Sequence, residues 1–270
     1  MNLRQALKSK LTKKQLSLLS SSFSTIGSIA IFSDFPIQLK TKEKLIAQTL
    51  LKLNKNIKTV AKKTKQYSGK YRLPKIRIIA GKKTKITTHK ENNIILKLNI
   101  ETCYFSPRLA NERLRIAKQV KPKESILVMF SGIGPYPITI AKTKPVKEIY
   151  SIEINPEAIK YQKENILLNN IQNIKLFKGD VNKILPKIKK KFDRILMPLP
   201  KSAESFLPLA LTKIKSKGII HFYDFQEKSE IKNSIEKIKK HIKNFKILKT
   251  IKCGQFAPGK FRVCIDFKVL

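Results

Sequence analysis

At 270 residues and 41% hydrophobic side chains, the chain is long enough to bury one large core or two modest ones. It carries 58 Lys and Arg against 18 Asp and Glu, a formal net charge of +40, and so strong a field draws polyanions, nucleic acid first among them. No apolar run reaches the roughly 18 residues of a membrane span, no signal-peptide pattern opens the chain and no amphipathic stretch reads as a membrane anchor, so a soluble, cytoplasmic protein is expected.

In the first hundred residues the pattern mixes helix and strand. Residues 3–19 space apolar side chains helically among lysines and predict one or two short helices; residues 24–32 (STIGSIAIF) predict a strand. Residues 41–53 (TKEKLIAQTLLKL) carry a 3.6-residue apolar stripe and predict a helix. Residues 60–69 read as a basic, solvated loop, and 72–80 as a strand that Pro74 places near a sheet edge. Residues 85–89 and 94–100 flank Glu91-Asn92-Asn93 and predict a hairpin. Residues 1–100 hold 23 Lys and Arg and only three acids, a net +20, while the remaining 170 hold 35 and 15, also +20. AT-rich coding would enrich Lys, Ile and Asn by itself, but the uneven density favours a small basic α+β domain over 1–100 that binds RNA or DNA.

From Tyr104 the pattern changes. An extended lead-in (104–108) precedes a helix over 109–118, and strands and helices then alternate. Strands are expected at 126–130, 148–152, 174–178, 192–197 and 218–223, with helices at 138–142, 156–168, 202–211 and 227–241. Strands at 245–252 and 261–269 follow with no helix between them. Repeated βα units ending in a hairpin predict, over 101–270, an α/β doubly wound sheet with an antiparallel last strand.

Its centre is residues 126–155 (ILVMFSGIGPYPITIAKTKPVKEIYSIEIN). An apolar strand runs into Ser131-Gly132-Ile133-Gly134, prolines allow a helix start, and a second strand ends on Glu153. Glycines that admit a nucleoside and an acid that accepts from its ribose diol make this a nucleoside-cofactor unit. Pro137 stands where a dinucleotide fingerprint has its third glycine, which favours S-adenosylmethionine over NAD. Asp180, after the third strand, is placed to accept from an adenine amino group and equally to cap the next turn. Met197-Pro198-Leu199-Pro200-Lys201, after the fourth, is a rigid segment that also serves as helix-start punctuation. Cys103, Cys253 and Cys264 form no CxxC pair and are expected reduced; His89, His221 and His241 are scattered as structural or surface residues, and no metal site is expected.

Together these motifs resemble the archaeal and eukaryotic type of tRNA (guanine-N1)-methyltransferase, which modifies the guanosine immediately 3′ of the anticodon, position 37. The resemblance runs through the 2–81 module, YFSPRLANERLR at 104–115, the 132–135 turn, Glu153-Ile154-Asn155-Pro156, Asp180 and 197–201. It implies a Rossmann-like class I methyltransferase fold, S-adenosylmethionine as donor, and a tRNA anticodon stem-loop gripped by the basic domain. Carried over residue by residue, it implies Glu112 as general base and Arg72 as the cation steadying charge on the guanine oxygen. Tyr104, Ser106 and Arg108 would surround the target base, and Arg113, Gly132, Gly134, Glu153, Ile154, Asp180, Val181 and Pro198 the cofactor. Two departures from the family pattern stand out: Val128 where many members have Asp, and Pro198 where many have Asn. The chain starts at the basic module, without the additional N-terminal domain of some members, so reduced checking of remote tRNA shape is expected. A monomer is expected.

The chemistry asks for these residue types. Guanine N1 becomes nucleophilic as its proton leaves, which wants a carboxylate, and the charge that builds toward O6 wants a guanidinium. From the residues alone Glu112 has another role open to it, as a first-turn helix acid or the partner of Arg115. Only eight basic residues are Arg, and five of them (Arg72, Arg77, Arg108, Arg113, Arg115) fall within 44 residues, which hints at planar, bidentate contacts. Competing readings are an aminocarboxypropyl or precursor-methyl transfer of the wyosine pathway at the same tRNA position, and a tRNA-binding module that has lost catalysis.

Overall fold

The computed structural model describes residues 2–19, 23–199 and 201–270. The chain divides into two compact units: Met1–Glu91 with Ile95–Pro107, and Asn92–Ile94 with Arg108–Leu270.

In the first unit two short helices, α1 (Leu3–Ala6) and α2 (Lys13–Leu18), each begin with a capping box, Asn2 with Gln5 and Thr12 with Gln15. The predicted single strand at 24–32 is two, β1 (Ser24–Ile26) and β2 (Ile29–Phe32), folded back antiparallel about Gly27. Gly27 has φ +54, and a Cβ there would lie 2.2 Å from the Thr88 carbonyl oxygen, so only glycine turns this corner. The helix predicted at 41–53 is α3 (Glu43–Leu53), preceded by a 3-10 turn.

Residues 60–69 are not a loop. They lie in β3 (Thr59–Ser68), which pairs parallel with β2 and antiparallel with β4 (Leu73–Gly81). Pairing on both sides outweighs a polar sequence: Thr59, Val60 and Ala61 anchor the strand in the core while its lysines stay partly or fully exposed. With order β1-β2-β3-β4, the Pro74 strand is the sheet edge, as its sequence predicts. Leu3, Leu7, Phe32, Ile46, Leu50 and Val60 fill the core beneath it. A separate hairpin, β5 (Ile86–Glu91) and β6 (Ile94–Asn99), turns on Asn92 and Asn93, both at positive φ as a primed turn requires.

In the second unit, helix α4 (Ala110–Gln119) precedes the sheet. The alternation follows as β7 (Ser125–Met129), α5 (Pro135–Thr143), β8 (Glu148–Glu153), α6 (Pro156–Leu168) and β9 (Ile174–Lys178). It continues with a short α7 (Val181–Ile184), the turn that Asp180 is expected to cap, β10 (Phe192–Met197), α8 (Leu207–Lys213), β11 (Ile214–Glu227) and α9 (Ile231–Lys239). The hairpin β12 (Phe245–Ala257) and β13 (Lys260–Val269) closes the chain. The sheet order is β12-β13-β11-β10-β7-β8-β9, parallel except that β13 runs antiparallel between β11 and β12. This is the doubly wound sheet with an antiparallel last strand, and its order reverses at β7 and β10, where such sheets bind ligands. Strand β7 shows why it reads as one apolar run: Leu127 and Met129 enter the core on one face, Ile126 and Val128 that on the other.

Among the described residues, a charged group is buried in the core of the first unit. Glu43, 5% exposed in the first turn of α3, is hydrogen-bonded to Lys62 on β3 and Arg77 on β4. Burial pushes its carboxyl up, but the two cations outweigh this and hold it below the usual range. Glu43→Gln should therefore lower stability at neutral pH by about 1–3 kcal/mol, discounted because both partners keep some exposure, with a difference that shrinks as pH falls below about 4. Urea titrations of the two proteins at pH 7 and pH 3 check both magnitude and sign.

Candidate active site

The second unit places a glycine turn at the switch point of its sheet, between β7 and α5. After β7 the backbone enters the left-handed region at Phe130, Gly132 and Gly134 (φ +59, +59 and +90). The turn is held from several sides. Ser131 N–H donates to the Ile152 carbonyl at 3.0 Å, and Gly134 N–H to the Ser131 carbonyl at 3.0 Å. The Ser131 hydroxyl donates to Gln162 Oε1 (2.8 Å), whose amide donates in turn to Ser151 Oγ (2.6 Å). Gly134 caps α5, and a Cβ there would meet the Gln162 side chain at 2.9 Å and Ile138 at 3.0 Å. The sequence reads this glycine as room for a ligand; the structure adds that it is room for α6.

Glu153, 8% exposed at the end of β8, binds this turn to its own. Oε2 accepts from Gly132 N–H at 2.7 Å, and Oε1 accepts from Ile154 and Asn155 N–H at 2.9 and 2.8 Å. A carboxylate has about four acceptor sites, so one remains, which suits a ribose hydroxyl. Burial raises its pKa, against the pull of the three backbone donors. Asp180 takes the cap role that its sequence allows, accepting from Asn182 N–H at 2.9 Å through Oδ1. Val181 behind it is buried in the core. Pro198 is half-buried just past β10, where Leu199 N–H turns back to the Met197 carbonyl at 2.8 Å; Pro200 of the same motif lies outside the described residues. These residues fit an adenosyl group: an acid with a spare acceptor for a diol, a second acid beyond the next strand, and a turn that projects no side chain at Gly132.

Helix α4 brings Glu112, Arg113 and Arg115 to the same unit. Glu112, 5% exposed, accepts from Arg115 Nε at 2.6 Å through Oε2, and from an Arg115 terminal nitrogen (2.8 Å) and the Tyr223 hydroxyl (2.6 Å) through Oε1. Tyr223 itself accepts from the Tyr136 hydroxyl at 2.9 Å. Arg115 also grips Asp266 of β13 at 2.5 Å. Asp266 meets His221 Nδ1 at 2.6 Å, and the other His221 nitrogen lies 2.7 Å from Arg194, which forks onto Glu124. His221, unexposed, is pushed down by burial and by the Arg194 and Arg115 charges, so the ring is neutral, donating to Asp266 and accepting from Arg194. Burial would raise Asp266, yet the His221 hydrogen bond and the Arg115 cation hold it well below the usual carboxylate range. His221, Cys264 and Asp266 cluster closely, but two guanidinium groups at the same site disfavour a metal cation there.

The other residues singled out from sequence lie as follows. Arg113 is 1% exposed on α4, with its charge near Tyr136. Arg108 is exposed just before α4. Arg72, Tyr104 and Ser106 belong to the first unit. Arg72 closes the β3–β4 turn in the left-handed region (φ +53), its N–H donating to the Gly69 carbonyl at 3.1 Å. Tyr104, 37% exposed, packs edge-on against Tyr67 with ring centroids 5.4 Å apart. Tyr223, Asp266, His221 and Arg194 were not found as site residues from sequence; the one signal was an acid and an arginine inside the apolar strands CIDFKV and FDRILM.

Comparison with known proteins gives a consistent result. The model described as the TRM5/TYW2 methyltransferase domain matches residues 87–249, and the TYW2 N-terminal domain model matches residues 3–84. A tRNA (guanine(37)-N(1))-methyltransferase Trm5b of Pyrococcus abyssi is 38% identical over 256 residues, 93% of this chain and 76% of the relative. A tRNA (guanine(37)-N(1))/4-demethylwyosine(37)-methyltransferase Taw22 of Nanoarchaeum equitans is 33% identical over 80% of this chain and 88% of its own length. The solved complex of aTrm5 with tRNALeu superposes with a TM-score of 0.86 at 28% identity, over 100% of this chain and 78% of that one.

Because Asp266 has a depressed pKa in the folded state, its contribution to stability is complete above the unfolded value of about 4 and is lost as pH falls below it. Asp266→Asn should flatten the acid limb of the stability curve between about pH 5 and 2, and cost about 3–5 kcal/mol at pH 7 by leaving Arg115 half-paired in the interior. Denaturation midpoints measured across that range in both proteins check the slope and the offset.

Proposed function

The chain belongs to the TRM5/TYW2 methyltransferase family, and from that membership we propose its reaction and the residues that perform it. It is an S-adenosylmethionine-dependent tRNA (guanine-N1)-methyltransferase, acting on the guanosine immediately 3′ of the anticodon. What supports the N1-methyl reading is its 38% identity to a Trm5b enzyme across 93% of the chain, together with a buried carboxylate, Glu112, that keeps one acceptor site open. The Taw22 relative supports a second substrate, a tricyclic wyosine precursor at the same position, as an additional activity. Protein bound to tRNA acts as a monomer in the cytoplasm.

S-adenosylmethionine, when bound, supplies a methyl carbon made electrophilic by its sulfonium. Glu153 holds the ribose diol through its remaining lone pair, and Asp180 the adenine amino group. Gly132, Gly134, Ile154, Val181, Arg113 and Pro198 frame the same ligand. The basic first domain grips the anticodon stem-loop through phosphate contacts, and Tyr104 stacks on the base turned out of its loop, with Ser106 and Arg108 beside it. Glu112 accepts the N1 proton, and Arg72 stabilises the charge that builds on O6. Holding base and donor in register contributes the remainder.

The direct test is transfer of a labelled methyl group to tRNA transcripts carrying guanosine or adenosine at position 37, followed by nucleoside analysis. N1-methylguanosine should form in the first and nothing in the second; a labelled product other than N1-methylguanosine overturns the reading. Glu112→Gln keeps, through its one remaining carbonyl oxygen, the Tyr223 contact and one of the two Arg115 contacts, but it cannot take a proton, so single-turnover methylation should drop by about 10²–10⁴ with substrate affinities little changed. Arg72→Lys should also be damaging, since an ammonium cannot reproduce a forked contact. Binding of tRNA should weaken steeply with salt, by about one log unit per log unit of salt for each phosphate neutralised. Filter binding at three salt concentrations measures that slope, and a flat dependence would remove the phosphate grip.

A further inference from the structure

The buried donors around Glu112 have a direction. The Tyr136 hydroxyl donates to Tyr223, and Tyr223 donates to Glu112, so the chain of O–H bonds runs toward the carboxylate and not away from it. Tyr136 is the second residue of α5, immediately after the 132–135 turn, and Tyr223 lies in β11; both hydroxyls are buried. On the opposite side Arg115 forks across both Glu112 oxygens and is itself fixed by Asp266. Counting lone pairs, Oε1 accepts two hydrogen bonds and Oε2 one. The single open acceptor position is on Oε2.

The geometry points to Tyr223 as a positioning residue for the methyl-transfer reaction: its hydroxyl fills Oε1, leaves Oε2 as the acceptor for the N1 proton, and through Tyr136 ties that carboxylate to the glycine turn of the cofactor pocket. The inference rests on Glu112 being the base. It gives the reaction what it most needs, a proton acceptor and a donor pocket held in one register by two hydrogen bonds. The same direction of donation means that the tyrosines stabilise the ionised acceptor and do not carry the proton out.

The groups facing Glu112 can be named from every element packed on it. Among the described residues they include Arg115 on its own helix, with Arg113 of that helix near Tyr136, Tyr223 on β11, Tyr136 on α5, Cys253 on β12, and Cys264 with Asp266 on β13. Burial, then the surrounding negative groups, pushes both phenols upward, and burial pushes the Cys253 thiol up to about 12 and Cys264 up as well. All four stay neutral where a carboxylate titrates. Asp266 is ionised there, and Arg115 charged throughout. A change in the pH profile after altering Tyr223 therefore reports on Glu112.

Two measurements on the full chain test this. The first is the single-turnover methylation rate against pH; the second is carbon-13 NMR titration of labelled glutamate carboxyls in the ligand-free protein, with Glu112 assigned by the signal lost in Glu112→Gln. In Tyr223→Phe the half-rise pH and the Glu112 midpoint should both move up by about 1 unit, roughly a tenfold rate loss on the rising limb, with tRNA and S-adenosylmethionine affinities unchanged. Should that variant fail to fold, 3-fluorotyrosine inserted at position 223, a stronger donor of nearly the same shape, should move both downward. If melting temperature falls while both midpoints stay at the wild-type values, or if fluorination leaves them there, Tyr223 only packs the core and the inference is overturned. Failure of the underlying reading looks different: Glu112→Gln then turns over within a few-fold of wild type, whatever Tyr223 does.

Discussion

The second unit depends on one contact, the Arg115 guanidinium held between Glu112 and Asp266. Taking three charges out of water costs several kcal/mol each, and only dense, well-aligned hydrogen bonding repays it. Here the bonding extends in both directions, through His221 and Arg194 to Glu124 and through Tyr223 to Tyr136. Helix α4 joins sheet and cofactor turn through this chain as well as through Ile116 and Ala117, its contribution to the apolar core. Apolar packing alone tolerates small rotations of a helix. A forked, bidentate contact does not, and it fixes where the Glu112 oxygens lie.

A second constraint acts beside the first. Glu153 closes a ring of backbone donors that joins the end of β8 to the turn after β7. Gln162 and Asn165 on α6 bind the same turn from behind, the latter donating to the Ile133 carbonyl at 3.0 Å. Phe130, the non-glycine left-handed residue here, thus sits beside a turn over-determined by its surroundings, the condition under which strain persists at functional sites. Val128 follows from this arrangement. With the turn held from β8 and α6, the strand before it needs no polar side chain for the fold, and Val128 packs into the core with Ile126 and Tyr136.

Much of this was legible in the sequence, for local reasons. The strand–turn–helix–strand unit announces itself through glycine, proline and an apolar run, all of which act over neighbouring residues. Glu153 stands where the next strand ends, and Asp180 caps the turn that its sequence suggests. What was missed is non-local. Strand β3 reads as a loop because its lysines hide the pairing that β2 and β4 supply from either side. The break at Gly27 is invisible without the Thr88 carbonyl that forbids a side chain there. His221 looks like a scattered histidine because Asp266 is 45 residues away in sequence, and Tyr223 meets Glu112 across 111. Both roles open to Glu112 meet in one place: the pairing with Arg115 that three-residue spacing suggests is the contact that shapes the carboxylate.

The division of labour between the two basic residues carries the same logic outward. Fifty of the 58 cations are lysines, and a flexible ammonium suits a surface whose task is a diffuse positive field. Three of the eight arginines are used otherwise. Arg194 is unexposed and directs its guanidinium at Glu124, His221 and the Gln119 carbonyl; Arg113 is 1% exposed; Arg115 forks across one carboxylate and grips a second. A coding bias toward AT explains an excess of Lys, but it does not by itself account for Arg115 and Arg194, each placed where a planar fork meets a carboxylate. Charge that only needs to be present is lysine. Charge that needs a direction is arginine, and Arg115 directs it at Glu112 and Asp266.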